Sequence, residues 1–116
     1  MSDVAIEQLI AGYMESAVAH GGATLNGDHK TANKSYDKLV KLVAQIRAFG
    51  NEGSSAILAL SRDRNESVAC WAATHSLKYN EEAALGALSL LAEKSGPIGF
   101  GAKMVIQQWH KGQLNV

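Results

Sequence analysis

Apolar residues recur along most of this chain at steps of three and four positions, which is the spacing of one face of an α-helix. The clearest case follows residue 30, where the predicted core stripe is Tyr36, Leu39, Val40, Val43, Ile46 and Phe49. The pattern predicts helices over residues 3–20, 30–49, 55–61 and 66–78. A fifth helix is predicted to start at 80–82 with Asn80 as its cap and to end at 95–96, and a sixth to start with Pro97 and run to 111. No alternating apolar–polar run of strand length occurs in the sequence, so it predicts an all-α fold.

Glycine and asparagine mark the expected ends of these helices. Gly21 and Gly22 are predicted to end the first helix, because glycine adopts the left-handed conformation of a helix C-terminus without steric cost. Two residues compete to cap the fourth helix. Asn65 lies directly before its start, and Asp63 has capping-box spacing to Glu66. Both alternatives remain open from the sequence.

Residues 54–112 contain the pattern of one helix pair twice, with an offset of 30 residues between the two copies. The offset places apolar residues on apolar or small ones: Ile57–Leu60 on Ala87–Leu90, Val68 on Ile98, Cys70 on Phe100, Ala72 on Ala102 and Tyr79 on Trp109. Two helices per unit, at a period of about 30 to 45 residues, are typical of stacked α-solenoid repeats. The sequence therefore predicts a short α-solenoid of about six helices in three antiparallel pairs, forming a single domain over residues 1–116.

The composition narrows the classes of protein that fit. With 116 residues, 47% of them hydrophobic, the chain can bury a core without disulfide or metal staples. The 11 Lys and Arg residues are balanced by 11 Asp and Glu, which argues against a general nucleic-acid binder with its basic excess. A single cysteine excludes a disulfide framework. The N-terminus has no secretory pattern and no apolar run reaches about 18 residues, so we expect a soluble cytoplasmic protein.

The residues that could carry chemistry form no recognisable catalytic or metal-binding pattern. Two metal ligands on one helix face stand three or four positions apart, a spacing found nowhere among His20, His29, His75 and His110. Cys70 lacks an evident base, and a free cysteine commonly packs as a small hydrophobe. The glycine-rich segment 96–101 follows a helix and lacks the Lys-Ser/Thr ending of a phosphate-binding loop. We therefore expect no enzyme activity, no metal and no cofactor.

Polar and aromatic residues on the second helix of each pair are better candidates for contact with a partner. In a stacked helical array these helices tend to line the concave surface. Arg62 and Arg64 stand at a polar corner, where two guanidinium groups could grip a phosphate or a carboxylate. Trp71 is either a binding hot spot or a core filler among its neighbouring alanines. The predicted partner-binding residues are Lys34, Asp37, Arg62, Arg64, Trp71, His75, Lys78, Lys103 and Gln107.

Short motifs carry resemblances to known families. Asp63, Val68 and the pair Ala72–Ala73 resemble the consensus of HEAT repeats, in which small alanines let paired helices approach closely. From Leu25 onward the chain resembles a bacterial family known as domain of unknown function 2019, at Asn33, Tyr36–Asp37, Gly50, Ala72–Ala73, Trp109 and Gly112. This resemblance implies a HEAT- or armadillo-like helical fold and supplies no catalytic residues. Small helical domains of this kind also resemble immunity proteins, which neutralise secreted bacterial toxins.

These features favour a non-enzymatic module that binds another protein, most specifically an immunity protein or inhibitor of a bacterial toxin. The first alternative is nucleic-acid binding, which requires one basic face from Lys34, Lys38, Lys41, Arg47, Lys78 and Lys103. Self-association as a homodimeric scaffold is the second, because the ends of a short helical array need capping or dimerisation. An enzyme is the third alternative, with no nucleophile–base pair to support it.

Overall fold

The computed structural model describes residues 2–116, with side chains from residue 5 onward. Its elements are α1 (Ser2–Asn26), α2 (His29–Arg47), α3 (Asn51–Leu60), α4 (Glu66–Ser76), α5 (Glu81–Ala92) and α6 (Pro97–His110). No strand occurs among the residues described. The prediction of an all-α fold with six helices is therefore confirmed.

Contacts within the chain divide it into two compact units, one that extends to Ala56 and one that begins at Ile57. The first unit contains α1, α2 and the start of α3, and the second contains the end of α3 with α4, α5 and α6. The single-domain organisation and the solenoid stacking of helix pairs remain predictions.

In the first unit, α1 and α2 pack side by side as a helical hairpin. The turn between them contains Gly27 at φ 73°, a conformation that glycine adopts without steric strain. Asp28 caps α2, because its Oδ1 accepts a hydrogen bond from the Thr31 amide at 3.1 Å. The two helices approach closely at Gly12, where an added Cβ would stand 3.4 Å from Leu42 Cδ1. The turn at Gly27 and the cap at Asp28 thus fix where the second helix of this hairpin begins.

The prediction that Gly21 and Gly22 end the first helix is wrong, since α1 continues to Asn26. Both glycines keep a negative φ, and the first positive φ along the described chain occurs at Gly27. Ala23 is buried, so the extra turn removes apolar surface from water. Packing therefore outweighs the local preference of glycine for a helix end.

The core stripe predicted for α2 is narrower than expected. Leu39, Val43 and Ile46 are buried, and these residues lie along one line of the helix. Tyr36 and Val40 lie to one side of that line and are exposed, so the prediction that they belong to the core is wrong. Three- and four-residue spacing is compatible with a stripe of several widths, and the packing in the folded chain decides how much of it is covered.

The third helix begins at Asn51, earlier than the predicted residue 55. Gly50 at φ 70° closes the turn after α2, and α3 starts directly afterwards. Gly53 is buried, and a Cβ at this position would collide with the carbonyl oxygen of Ile46. The glycine therefore lets the first turn of α3 lie against the end of α2.

In the second unit, α5 and α6 pack against each other, and α4 contacts both. Alanine and leucine dominate the buried cluster between them, which consists of Ala69, Ala73, Leu77, Ala84, Ala87, Leu88, Leu91 and Ala102. Small side chains on α4 and α6 permit this close approach. Cys70 and Trp109 are partly buried against the same cluster.

Asparagine side chains cap the helices of the second unit. Asn65 caps α4, because its Oδ1 accepts from the Val68 amide at 3.1 Å. Asp63 instead accepts a hydrogen bond from the Asn65 amide through Oδ2 at 2.9 Å, which settles the two alternatives in favour of Asn65. Asn80 caps α5 in the same way through the Ala83 amide at 3.2 Å. These local signals in the sequence fix where both helices begin.

Candidate partner-binding surfaces

The thiol of Cys70 has the properties of a packed side chain. Burial raises its pKa from the ordinary value of 9.0 to about 11, and a hydrogen bond involving Thr74 lowers it only in part. The thiol is therefore protonated near neutral pH, whereas a nucleophilic cysteine needs a thiolate. Among the residues that the structure describes, no group of three or more His, Cys, Asp or Glu could hold a metal ion. The predicted packing role of Cys70 fits these observations.

Trp71 and His75 differ in exposure although both were predicted to contact a partner. The two rings stack with centroids 5.5 Å apart and an interplanar angle of 26°. His75 is only 4% exposed, within a buried run that includes Ala73 and Leu77, so its ring is not available to a partner in this structure. Trp71 is half-buried, between the two alternatives of hot spot and core filler. Burial on α4 thus removes one predicted residue from the surface.

The exposed face of α2 carries Lys34 and Asp37, as predicted. Lysines recur on this face at steps of four, four and three residues: Lys30, Lys34, Lys38 and Lys41, all of them exposed. Residues at these spacings share one side of an α-helix. Arg47 is partly buried, and Lys78 and Lys103 belong to the second unit. The first unit therefore contains one continuous lysine stripe with a single carboxylate beside it.

The outer face of α6 combines polar residues with exposed apolar ones. Lys103 and Gln107 are exposed, as predicted for partner-binding residues. Phe100 is 67% exposed and Met104 is 37% exposed, on the same side of the helix as Gln107. The sequence reasoning missed both, because the overlay placed Phe100 on Cys70 and thus in the core. The spacing of residues 100, 103, 104 and 107 was the signal that could have found this face.

Lys78 and Tyr79 lie in the turn between α4 and α5. Lys78 is exposed, and its Nζ lies 6.0 Å from the ring centroid of the exposed Tyr79, at the outer limit of a cation–π contact. Trp109 on α6 donates from Nε1 to Glu81 Oε2 at 2.9 Å. This bond joins the last helix to the first turn of α5.

Arg62 and Arg64 line an open cavity of about 350 Å³. The cavity lies between the 61–66 corner, the first turns of α4 and the end of α5. Its other charged lining residues are Asp63, Glu66 and Lys94. Glu66 Oε2 accepts from Lys94 Nζ at 2.9 Å, and Asp63 accepts the Asn65 amide described above. The structure thus places both predicted arginines at one concave site.

The described residues form an all-α protein, and none of their helices is both long and apolar enough to cross a membrane. No protein-family model and no curated protein matches the chain. The chain is similar to the crystal structure of the protein RPA1889 from Rhodopseudomonas palustris CGA009, with a TM-score of 0.85 and 20% sequence identity. The match covers 96% of this chain and 93% of the chain in that structure. At that identity the similarity shows a shared fold alone. Membership of the family of unknown function 2019 remains a prediction.

Proposed function

We propose that this protein is a non-enzymatic interaction module that binds another protein through the outer face of α6. The observation that carries this proposal is the exposure of Phe100, at 67%, beside Met104 on one side of the helix. Burying a phenylalanine side chain at an interface contributes roughly 1.5–3 kcal/mol to the free energy of binding. An aromatic side chain that is left largely in water is a ready anchor for a partner.

The residues around Phe100 suit a protein partner. Aromatic anchors are enriched at interface hot spots, and methionine adapts its shape to irregular partner surfaces. Lys103 and Gln107 flank the apolar pair with polar groups that are exposed to solvent. A small apolar centre with a polar rim is the usual organisation of a protein–protein interface.

The most specific form of the proposal is an immunity protein that binds and neutralises a bacterial toxin in the cytoplasm. The support is a small helical fold of the type that such inhibitors use, together with a surface of mixed charge. Mixed charge favours specific recognition over general attraction to polyanions. In this role α6 would contact the toxin, and the protein itself would need no catalytic group.

Nucleic-acid binding is the second candidate, and the lysine stripe on α2 favours it. Four exposed lysines over three turns of one helix could follow a phosphate backbone. Asp37 interrupts this face, and the formal charge of the whole chain is zero. The stripe is therefore weaker support than the exposed pair Phe100 and Met104, because exposed lysines are ordinary, whereas apolar side chains that stand together on the surface mark interaction sites.

The test is a pull-down from source-cell lysate with the tagged full chain at low and high salt. We expect a protein to be retained by the wild type at high salt and lost with the Phe100→Ala/Met104→Ala variant. The matched control is Lys34→Gln/Lys38→Gln, which should retain the same protein. Inhibition of that protein's toxic activity in a purified assay would establish the immunity role.

Other outcomes would contradict the proposal. Nucleic acid recovered only at low salt, and lost with Lys34→Gln/Lys38→Gln, would replace it with the second candidate. A homodimer in light scattering that Phe100→Ala dissociates would assign the face to self-association. A retained protein that both variants bind equally would remove α6 from the interface.

A further inference from the structure

The corner cavity described above has an apolar floor and a charged wall. Ala69, Ala87 and Leu91 form the floor, and all three are buried in the core of the second unit. Leu90 also lines the cavity and is 58% exposed, so it offers apolar surface to anything that enters. An occupant therefore meets both aliphatic and ionic groups within one volume of about 350 Å³.

The charged groups of the wall are not equally available. Both carboxylates are already engaged, Glu66 with Lys94 and Asp63 with the Asn65 amide. The guanidinium groups of Arg62 and Arg64 make no hydrogen bond or ion pair within the described part of the chain, and both residues are exposed. Three cations stand against two carboxylates in the lining, so the cavity has one positive charge in excess. Since Lys94 pairs with Glu66, the excess belongs to the two arginines, whose two positive charges are opposed only by the carboxylate of Asp63.

The charge balance selects among anions. A planar guanidinium binds a carboxylate through two parallel hydrogen bonds, and two of them at one corner present several donors to a single group. A phosphodiester backbone or a dianionic phosphate would bring more negative charge close to Asp63 and Glu66, where like charges repel. A single carboxylate matches the excess of one charge.

We propose that this cavity recognises a carboxylate of a protein partner, from an acidic side chain flanked by aliphatic residues. The carboxylate pairs with Arg62 and Arg64, and the flanking aliphatic group packs on Leu90 and the apolar floor. This inference rests on the proposed function, since it names the chemistry by which a protein partner is recognised.

The test is an NMR titration of the ¹⁵N-labelled full chain with the peptide acetyl-Leu-Glu-Leu-amide. We expect saturable shifts of the amides of residues 61–66 and 87–94, with a dissociation constant on the order of 1 mM for so small a ligand. The matched peptide acetyl-Leu-Gln-Leu-amide lacks only the charge and should bind at least about fivefold more weakly. Inorganic phosphate, titrated alone, should also bind more weakly than the glutamate peptide.

Variants separate the two arginines from general charge. Arg62→Gln/Arg64→Gln should lower the affinity for the glutamate peptide at least about fivefold. Arg62→Lys/Arg64→Lys should retain part of it, because lysine keeps the charge but loses the planar fork. Lys30→Gln/Lys41→Gln makes the same change in net charge at exposed residues of the first unit and should leave the affinity unchanged. Unfolding curves of all variants would confirm that each is folded.

Three results would overturn the inference: equal binding of the two peptides, full affinity in Arg62→Gln/Arg64→Gln, or phosphate binding as tightly as the glutamate peptide. If the titration fails while a lysate protein still depends on Phe100, the cavity inference alone is wrong. If the peptide binds as expected but no lysate protein depends on Phe100, the proposed use of α6 is wrong and the chemistry of the cavity stands.

Discussion

The overlay of the chain on itself makes α4 and α6 equivalent, yet the two helices have different surroundings. In α4, Val68, Ala69 and every residue from Ala72 to Ser76 are buried. In α6 only Gly99 and Ala102 are buried, and Phe100 lies largely in water. Both helices have the spacing of apolar residues that predicts a core face. The same pattern can therefore serve a buried helix and a surface helix, and the packing around each one decides which side chains reach solvent.

Individual pairs show where the equivalence holds. Ala72 and Ala102 are both fully buried, so the overlay is correct where the side chain is small. Cys70 is partly buried against the core, whereas its counterpart Phe100 is exposed. Only a small residue fits where helices approach closely, whereas a large one needs room in a core or a place at the surface. The difference between α4 and α6 thus lies in their large residues.

We expect the largest effect from enlarging the two buried alanines that the overlay pairs, Ala72 and Ala102. Ala72→Leu and Ala102→Leu each add three carbons at a position with no exposure, so we expect each to lower the free energy of unfolding by about 2–3 kcal/mol. Gln107→Leu, on the exposed side of α6, should change it by less than about 0.5 kcal/mol. Urea denaturation measures all three. A neutral Ala102→Leu would mean that α6 is loosely packed on both sides and that the alanine equivalence does not hold.

The burial of Cys70 on α4 also predicts that the free energy of unfolding depends on pH. Since the folded protein raises the pKa of Cys70 from 9.0 to about 11, the unfolded chain loses the thiol proton first as the pH rises. Stability from this source is complete below pH 9 and falls between pH 9 and about 11. At the upper pH the loss is about 2 kcal/mol, by the linkage between pKa shifts and stability.

The control for any other effect of high pH is Cys70→Ala. The variant keeps every lysine and tyrosine but lacks the thiol, and the wild type should lose about 2 kcal/mol more than the variant between pH 8 and pH 11. Urea denaturation at several pH values gives the comparison. Parallel pH profiles for the two proteins would mean that folding does not raise the pKa of Cys70, as for a thiol exposed to water.

The sequence predicted best the features that depend on local chemistry. Asn65, Asn80 and Pro97 mark helix starts correctly, because capping and the fixed φ of proline involve only the adjacent turn. The apparent stop at Gly21 and the supposed core residue Tyr36 were wrong. Both depend on which neighbour packs against the helix, and periodicity alone does not contain that information.

The candidate site was only partly predictable for the same reason. Arg62 and Arg64 stand out in sequence as a polar corner, and the structure places them together at a cavity. His75 was predicted to contact a partner but is buried, and Phe100 was aligned with the core but is exposed. Amphipathic spacing identifies two faces of a helix. Packing between elements then determines which face is covered.

The smallest effect concerns Trp109, a large residue of α6 that makes a hydrogen bond to α5. Trp109 donates its indole N–H to Glu81, whereas Tyr79, its counterpart in the overlay, is exposed. Glu81→Ala should lower the free energy of unfolding by about 0.5–1 kcal/mol more than Glu82→Ala, because both remove a carboxylate from the first turn of α5 and only the first removes this hydrogen bond. Urea denaturation of the two variants, followed by tryptophan fluorescence, measures the difference. Equal losses would mean that packing alone holds Trp109, and α6 would then differ from α4 only in how much of each helix is covered.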